Sequence, residues 1–465
     1  MTNLRRKVRT PRLRTVLASA CAASLVAAYG GVAASSASTV HRTRAAGQSF
    51  AGQTLTVLDG APTGADVKET QAYYNYLAKV FHQQTGATLQ LDYYTSPSQE
   101  VTTIETSTVS GSGPDVISYG TSFVGTLQAT GDFPAMSTAD WNAIGGRKSF
   151  IQADLFDSGT SATNDIGVPN ETNPFVLAYN TEYFKKAGIT APPHTWSQFV
   201  TDAQKIQKAV PGVYGAGFDP QDPYDPWKNM WFYSHALSGL RWISANGKKI
   251  NIANAQDLAA LSFYFSLDYK YHVVPPQSLT WNGADMGSAF TAGKIGMAII
   301  ASYGYTAAAV GTKVQGHLGY ALLPDIPYGL TSLPKGGRPV ETETTGNYWA
   351  IPKYAASKRA LALAFEKVSV SPQVQLEQFK LLGWMPVNAA GVKAVEAYSA
   401  ASKPFIGAES SAYPTSIAPV WSYVETGMLT AIHNISSNLA TSGKWNEAYA
   451  ASQLKSAQAA AQAQA

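Results

Sequence analysis

The sequence predicts an α/β fold with two lobes, each built on a mostly parallel sheet flanked by helices. Three observations carry this prediction. The chain has 465 residues, more than one hydrophobic core usually organises, so two compact units are expected. Strand-like apolar runs alternate with segments of helical periodicity in its first part, a pattern that builds parallel sheets. The composition is 45% hydrophobic and 11% aromatic, as in a globular protein.

The first lobe is predicted to begin with five alternating elements. Residues 54–60, 88–94 and 115–119 have the composition of strands. Residues 68–85 and 98–109 have helical periodicity, and Gly86 ends the first of these helices. Strands and helices that alternate at this spacing pair in parallel through right-handed crossovers.

The ends of these strands form the first candidate site. Ligands of parallel α/β sheets sit beyond the carboxyl ends of the strands. Asp59 stands near the end of the first strand, and Tyr119 and Ser122 stand at or just after the end of the third. We therefore expect these three residues to reach a ligand.

The second lobe is predicted to start with a strand at residues 176–179. Asn180 can cap a short helix, which Gly188 then ends. The pair Pro192-Pro193 forces an extended link. In the stretch Thr195-Trp196-Ser197-Gln198, the threonine and the glutamine have the spacing of a capping box, which predicts a second helix with Trp196 packed at its start.

The rest of the chain supplies further elements and one irregular stretch. Residues 325–344 are rich in turn residues. The predicted elements are helices at 255–271, 357–370 and 372–381, strands at 298–300 and 348–352, and an Ala/Gln helix at 444–465.

The N-terminus predicts export. Six basic residues precede a short apolar segment and a run of small residues, which together are typical of a secretory signal peptide over residues 1–37. Residues 38–52 form a polar lead-in. Cys21 is the chain's one cysteine and lies inside this signal. A lipid anchor through Cys21 and release by ordinary cleavage near Ala34 or Ala37 are both open, and the sequence around the cysteine favours release.

The charge and the motifs of the sequence restrict the classes of function that the chain can have. The signal peptide holds six of the 34 lysines and arginines and no acid, which leaves 28 against 30 acids in the remainder. The basic total therefore gives no support for nucleic-acid binding. The seven histidines are scattered, and neither hydrolase nor phosphate-loop motifs occur. A secreted carbohydrate-active enzyme, either a glycoside hydrolase or a lyase, remains an alternative. Its paired catalytic carboxylates are brought together by the fold, so no fixed spacing in the sequence would reveal them.

The order of the signals resembles a known family, the family 1 extracellular solute-binding proteins of ABC importers, the maltose-binding-protein-like group. The matching pieces are Gly113-Pro114-Asp115-Val116, Leu177-Ala178-Tyr179-Asn180 with Tyr183 to Gly188, Pro192-Pro193 with Thr195-Trp196, Phe290 with Gly293-Lys294 and Met297, Gly346-Asn347 with Trp349 to Pro352, and Gly383 with Met385 to Val387. They cover about residues 54–450 in the order of the family.

The resemblance implies a type II periplasmic-binding-protein-like fold, in which two lobes joined by crossing segments close on a ligand like a hinged trap. The N-terminal lobe would comprise residues 53–173 and 346–388, and the C-terminal lobe residues 174–345 and 389–450, with a tail at 451–465. It further implies a monomer that captures a sugar or oligosaccharide, needs no cofactor and delivers its ligand to a membrane permease.

Sugars are held by aromatic rings that stack on their apolar faces and by polar groups that bond to their hydroxyls. We expect Asp59, Tyr119, Ser122, Asn173, Trp227, Asn229, Tyr303, Glu343, Trp349 and Trp384 to contact the ligand. For the aromatic members, packing in the core is the alternative. Substituting alanine for Tyr119 or Tyr303 is expected to weaken binding with little loss of fold.

Two acidic segments have alternative readings. Glu341 and Glu343 share a face if their segment is extended, so a ligand carboxylate and a pair of solvated loop acids are both open. Residues 219–227, DPQDPYDPW, place an aspartate at every third position. In polyproline II geometry these carboxylates lie ~9 Å apart, too far for one calcium ion. We therefore expect no metal and a stiff loop that presents Trp227, Asn229 or Trp231.

Overall fold

The computed structural model describes residues 49–61, 67–95, 97–159, 161, 164–339 and 342–465. The predicted signal peptide, most of the predicted lead-in and Glu341 lie outside these residues. The compact unit considered below is Gly47–Ala465.

The described residues form eight strands and sixteen α-helices. The strands are β1 (Thr54–Gly60), β2 (Thr88–Tyr94), β3 (Val116–Gly120), β4 (Gly167–Glu171), β5 (Val176–Asn180), β6 (Met297–Ile300), β7 (Leu318–Ala321) and β8 (Asn347–Ala350). The helices are α1 (Val67–Thr85), α2 (Pro97–Ser110), α3 (Val124–Thr130), α4 (Thr138–Ala143), α5 (Thr181–Lys186), α6 (Trp196–Ala209), α7 (Pro226–Ser238), α8 (Ala255–Tyr269), α9 (Gly283–Thr291), α10 (Tyr305–Ala308), α11 (Arg359–Ser369), α12 (Pro372–Leu382), α13 (Ala389–Tyr398), α14 (Lys403–Ser410), α15 (Trp421–Ser442) and α16 (Glu447–Gln462).

The first sheet has the strand order β2-β1-β3-β8-β4. β1 pairs in parallel with β2 and β3, whereas β8 runs antiparallel to both β3 and β4. Helices α1, α11 and α12 cover one face, where Leu55, Val57, Phe81 and Phe365 are buried together. The five alternating elements predicted for the first lobe are confirmed, and their strand ends lie at one edge of this sheet.

The second sheet has the order β6-β5-β7. Both of its ladders are antiparallel, so the expectation of a mostly parallel sheet is wrong for this lobe. Alternation along the chain predicts parallel pairing only for strands that follow one another through a crossover. β5 instead enters from the first sheet and lies between two later strands that run against it. The two-lobe α/β fold itself is confirmed.

Local signals at the start of the second lobe act as predicted. The Asn180 side chain accepts the backbone N–H groups of Glu182 and Tyr183 at 3.0 and 3.1 Å and so caps α5. Thr195 and Gln198 form the capping box of α6. Trp196 is buried against aromatic neighbours at the start of this helix.

Two chain crossings lie side by side between the sheets. Residues 172–175 join β4 to β5, and residues 342–346 lead back to β8. The Asn173 N–H donates to Thr345 Oγ1 at 3.0 Å, and the Phe175 N–H donates to Thr342 Oγ1 at 3.0 Å. A side chain on Gly346 (φ 112°) would place its Cβ 1.9 Å from the Glu171 carbonyl oxygen. The close approach of the crossings therefore requires glycine there.

Three helices differ from the sequence-based expectation. Trp227, Asn229 and Trp231 lie on α7, which starts at Pro226 directly after the aspartate-rich segment, rather than on a stiff loop. The 22-residue helix α15 was not predicted, because polar and β-branched residues interrupt its apolar face. The C-terminal helix α16 begins at Glu447 and is docked, since its Gln458 and Gln462 accept backbone N–H groups of residues 250–253.

Candidate functional site

Acidic and aromatic side chains from both lobes meet at the carboxyl-end edge of the first sheet. We call this group the cleft cluster. Its members are Asp59, Tyr94, Glu100, Glu171, Tyr224, Asp225, Lys228, Glu343 and Glu425, which are linked by mutual electrostatic interactions.

Asp59 near the end of β1 is held by protein donors. The Tyr74 hydroxyl donates to one carboxylate oxygen, and the Gly60 N–H donates to the other at 2.8 Å. The side chain is 6% exposed. Burial raises the pKa of this carboxyl, although the hydrogen bonds from Tyr74 and Gly60 act in the opposite direction. Both oxygens of Asp59 are thus taken by protein donors, so its carboxyl is not a free acceptor for a ligand.

Glu100 in the first turn of α2 faces the same space. The Gly120 N–H bonds to its carboxylate. Its Oε1 has no hydrogen-bond partner although the residue is only 5% exposed. Burial, followed by the charges of Asp59 and Glu425, raises the pKa of Glu100 to about 8. Glu100 thus presents an unsatisfied acceptor at the cleft.

Glu171 ends β4 and lies beside the crossings. The amide of Asn347 donates to its Oε1 at 2.8 Å, and the amide of Asn173 donates to its Oε2. Burial and the nearby Asp59 raise the pKa of Glu171 to about 8. The oxygen of the Asn173 side chain has no partner and remains available as an acceptor.

Lys228 on α7 is the cation of the cluster. Its Nζ lies 3.1 Å from Asp225 Oδ1 and 3.2 Å from Glu343 Oε1. Burial alone would lower the pKa of Lys228, but the carboxylates of Asp225, Glu343 and Glu425 raise it. Burial raises the pKa of Glu343 to about 7 against the effect of Lys228. Lys228 is therefore charged, and it links the crossing segment at residues 342–346 to α7.

Glu425 on α15 connects the lobes. The indole Nε1 of Trp227 donates to its Oε1 at 3.0 Å, and its carboxylate also bonds to the Ser122 hydroxyl. Ser122 follows β3 in the first lobe, whereas Trp227 belongs to the second. The Thr126 hydroxyl also donates across the lobes, to the Pro419 carbonyl at 3.3 Å.

Two tyrosines supply aromatic surface. Tyr94 ends β2 in the first lobe, and Tyr224 lies in the acidic segment before α7 with 49% of its surface exposed. The pKa of each hydroxyl is raised by burial and then by Glu100. Both tyrosines therefore lie close to this carboxylate, one from each lobe.

The structure places half of the predicted ligand residues at this cleft. Asp59 and Glu343 are members of the cleft cluster, Asn173 bonds to Glu171, and Ser122 and Trp227 bond to Glu425. Trp227 is 2% exposed, so it takes part through its indole N–H rather than through a ring face. Glu343 is 1% exposed, which excludes the solvated alternative for this acid.

The structure places three of the predicted aromatic platforms among core residues. The Tyr119 ring stacks on Tyr348 at 5.3 Å between centroids and is fully buried. Tyr303 stacks on Phe379 at 4.6 Å and is 8% exposed. Trp349 is 1% exposed within the first-lobe core. None of the three presents a ring face to the cleft, so the geometry does not support the stacking role expected for them.

The remaining two predicted residues also lie elsewhere. Trp384 is half-buried and packs against the core of the first lobe. Asn229 lines a small cavity of about 20 Å³ in the second lobe, together with Asp219 and Tyr264. A cavity of that size holds roughly one water molecule. It is therefore too small for a sugar.

The aspartate-rich segment shapes the loop before α7. Asp222 accepts the N–H groups of Tyr224 at 2.9 Å and Asp225 at 3.1 Å through one oxygen, and that of Gly283 at 3.0 Å through the other. Within the part of the chain that the structure describes, no group of three His, Cys, Asp or Glu side chains converges as a metal site. The segment's observed role is to position Tyr224 and Asp225.

Sequence reasoning missed Tyr94, Glu100, Glu171, Tyr224, Lys228, Asn347 and Glu425. The strand-end rule that selected Asp59 applies equally to Tyr94, which ends the neighbouring strand. Asn347 stands inside one of the family-like motifs. Glu425 and Lys228 carry no local signal, because helices from distant parts of the chain bring them to the cleft.

We expect stability to fall as the pH rises from about 6.5 to about 8. The raised pKa values of Glu100, Glu171 and Glu343 mean that the folded protein retains protons that the unfolded chain releases near pH 4. The contribution of these three carboxyl groups to the free energy of unfolding is full below about pH 4 and is lost as the pH approaches about 8. His235, whose pKa burial lowers to about 4, acts oppositely but only below about pH 6.5.

Urea titrations at the two ends of this window measure the effect, expected to be at least about 1 kcal/mol. Glu171→Gln, which cannot ionise, should reduce the pH dependence, while exposed Glu396→Gln on α13 should leave it intact. Stability that instead rises across the window would contradict the assignment of protonated buried carboxyls.

No helix of the described residues is long and apolar enough to cross a membrane.

The family model described as bacterial extracellular solute-binding protein matches residues 64–376. A curated relative, the probable ABC transporter-binding protein of Deinococcus radiodurans, is 29% identical over 185 residues, 37% of this chain and 41% of the relative. The chain thus spans well under half the length of that relative.

Solved structures share the fold over nearly their whole length. The maltose-bound MalE3 of T. maritima matches with a TM-score of 0.71 and 20% identity, covering 87% of this chain and 98% of that protein. A solute-binding protein of Agrobacterium radiobacter K84 in complex with ribitol matches with a TM-score of 0.66 and 18% identity, covering 90% and 100%. At these identities the likeness establishes the fold alone.

Proposed function

Because the chain belongs to the bacterial extracellular solute-binding proteins, we propose that it captures a sugar or polyol in the cleft between its lobes and delivers it to the permease of an ABC transporter. The family and the fold neighbours are binding proteins, not enzymes, which removes the ground for the hydrolase or lyase alternative. The maltose and ribitol bound by the neighbours support a polyhydroxylated ligand for this chain.

The observation that carries the proposal is the cleft cluster itself. Acceptors without a protein partner, Glu100 Oε1 and Asn173 Oδ1, lie at the junction of the lobes. Tyr94 and Tyr224 lie beside Glu100, one from each lobe. Sugar hydroxyls donate to such acceptors, and the apolar faces of a sugar stack on such rings.

We further propose that capture involves closure about the crossings at 172–175 and 342–346. The lobes would be residues 53–173 with 346–388 and residues 174–345 with 389–450. A ligand drives closure only by binding the closed form more tightly. Small-angle scattering should show a smaller radius of gyration in the presence of a saturating ligand, for a chain that stays monomeric. An unchanged radius with bound ligand would contradict hinge closure.

The export route belongs to the same proposal. The family is extracellular, and we propose that residues 1–37 are cleaved to release the protein rather than that Cys21 carries a lipid. The mass of the protein from its native host distinguishes the two. A mass that includes Cys21 and acyl chains would overturn the proposal of release.

A thermal-shift screen against mono-, di- and trisaccharides and polyols tests the ligand class. We expect at least one of these compounds to raise the unfolding temperature, because a ligand that binds only the folded form stabilises it. A folded protein that responds to none of them would overturn the carbohydrate proposal.

Tyr224→Ala is expected to weaken binding of the compound so identified by about 1–3 kcal/mol. Tyr224 is 49% exposed, so its removal should cost little stability. Tyr398 on α13 is 57% exposed and lies outside the cleft cluster; Tyr398→Ala is the matched control. Calorimetric titration measures both variants, and equal affinities would mean that Tyr224 is not a ligand platform.

A further inference from the structure

The cleft cluster has more negative than positive groups. It contains six carboxyl groups and one ammonium. The carboxyl groups are those of Asp59, Glu100, Glu171, Asp225, Glu343 and Glu425. Lys228 forms ion pairs with Asp225 and Glu343. Among the described residues, no lysine, arginine or histidine forms an ion pair with the other four acids.

The uncompensated acids are not solvated. Asp59, Glu100 and Glu171 are 6%, 5% and 1% exposed. Isolated carboxylates in such surroundings are costly, so each must hold a proton or meet a positive group. Asp59 and Glu171 accept hydrogen bonds with both oxygens. Glu100 is different, because its Oε1 has no partner at all.

The surroundings of Glu100 suit a cation. Asp59 from β1 and Glu425 from α15 add negative potential from both lobes. The hydroxyls of Tyr94 and Tyr224 interact electrostatically with Glu100 and with each other, so a tyrosine also approaches from each lobe. Carboxylates and aromatic faces together are the surroundings that favour an ammonium group. A neutral hydroxyl can use the acceptor but supplies no positive charge to balance an ionised carboxylate.

We propose that the ligand is a hydroxylated molecule with a protonated amine, an amino sugar, and that its ammonium group binds Glu100 between the two tyrosines. The inference rests on the binding function proposed above and specifies the ligand class of the same cleft. The ammonium donates to Glu100 Oε1, while the remaining hydroxyls are available to Asn173 and the other acceptors.

Binding of an amine should release a proton. Glu100 holds a proton below its pKa of about 8, and a bound ammonium favours the ionised carboxylate. Asp59, Glu425 and the two tyrosines also face this position, whereas Lys228 pairs with Asp225 and Glu343. At a pH of about 6.5 the complex therefore carries fewer protons than its separate components.

Calorimetric titration of the full mature protein with matched probes tests the inference. The probes are glucosamine, glucose and N-acetylglucosamine, and the β-1,4-linked trisaccharide of each. We expect an amine form to bind at least about tenfold more tightly than its neutral counterparts. Titrations in buffers of different ionisation heat should show release of about one proton for the amine alone.

The variant Glu100→Gln tests whether the carboxylate of Glu100 causes the preference for amines. This variant should lose the amine preference and the proton release while retaining any binding of neutral sugars. Glu105→Gln on the exposed side of the same helix is the control and should behave as the unchanged protein. A preference that survives Glu100→Gln overturns the assignment of the ammonium position.

The two proposals fail differently. Neutral sugars that bind as tightly as the amines, or more tightly, overturn the amine inference and leave the proposed function standing. Failure of all six probes also overturns the amine inference, and the wider sugar and polyol screen then decides the proposed function by itself.

Discussion

Lys228→Ala is expected to lower the free energy of unfolding by about 3–5 kcal/mol. The ammonium of Lys228 pairs with Asp225 and Glu343 at 3.1 and 3.2 Å. The side chain of Glu343 is 2% exposed, and that of Lys228 is 16% exposed. Removing the cation leaves a buried carboxylate that must take up a proton or remain charged without a partner, and this penalty exceeds the loss of the contact itself.

Urea denaturation at fixed pH measures this loss. Lys208→Ala, which removes an exposed lysine of α6, is the control and should change stability by less than about 0.5 kcal/mol. Glu343→Gln added to Lys228→Ala should recover part of the loss, because the orphaned charge is removed at the same time. A loss below about 1 kcal/mol for Lys228→Ala would mean that the pair behaves as a solvated surface contact.

The parts of the fold that sequence predicts are those with local causes. Asn180 caps α5 and Thr195 caps α6 through side-chain bonds that span two or three residues. The alternation from β1 to β3 is equally local, since each apolar run already has its own periodicity. Helix α15 has no such signal in its 22 residues. It is held by contacts with α7 and α16, which only the folded chain brings together.

The residues of the candidate site likewise divide into those with a local sequence signal and those placed by long-range contacts. The strand-end rule finds Asp59 and Ser122, because both stand at ends of neighbouring parallel strands. Glu425 cannot be found in this way, since its contacts with Trp227 and Ser122 span about 200 and 300 residues of sequence. A cleft between two lobes is assembled almost wholly from such long-range contacts. Its polar members are therefore the least predictable from one sequence.

The predicted aromatic residues lie in the core for a different reason. Tyr119 belongs to β3, which lies between β1 and β8 in the middle of the first sheet. Val116, Ile117, Ser118 and Tyr119 are all buried, so both faces of this strand are covered. The chain does not leave the sheet until after Gly120, and only Ser122 reaches Glu425. A tyrosine that stands one residue before the end of a central strand is thus a core residue.

Tyr119→Ala is therefore expected to lower the free energy of unfolding by about 3–5 kcal/mol and to leave ligand affinity unchanged in the protein that remains folded. The substitution removes the ring that stacks on Tyr348 and the hydroxyl that donates to the Asp157 carbonyl at 3.1 Å. Tyr119→Phe keeps the ring and should cost only about 1 kcal/mol. Urea denaturation gives both losses, and titration below the unfolding midpoint gives the affinities. A Tyr119→Ala variant that keeps its stability but loses affinity would instead place this ring in the ligand site. Removing a ring that stacks on the ligand costs the core little stability, whereas removing a ring from a buried aromatic stack costs much more.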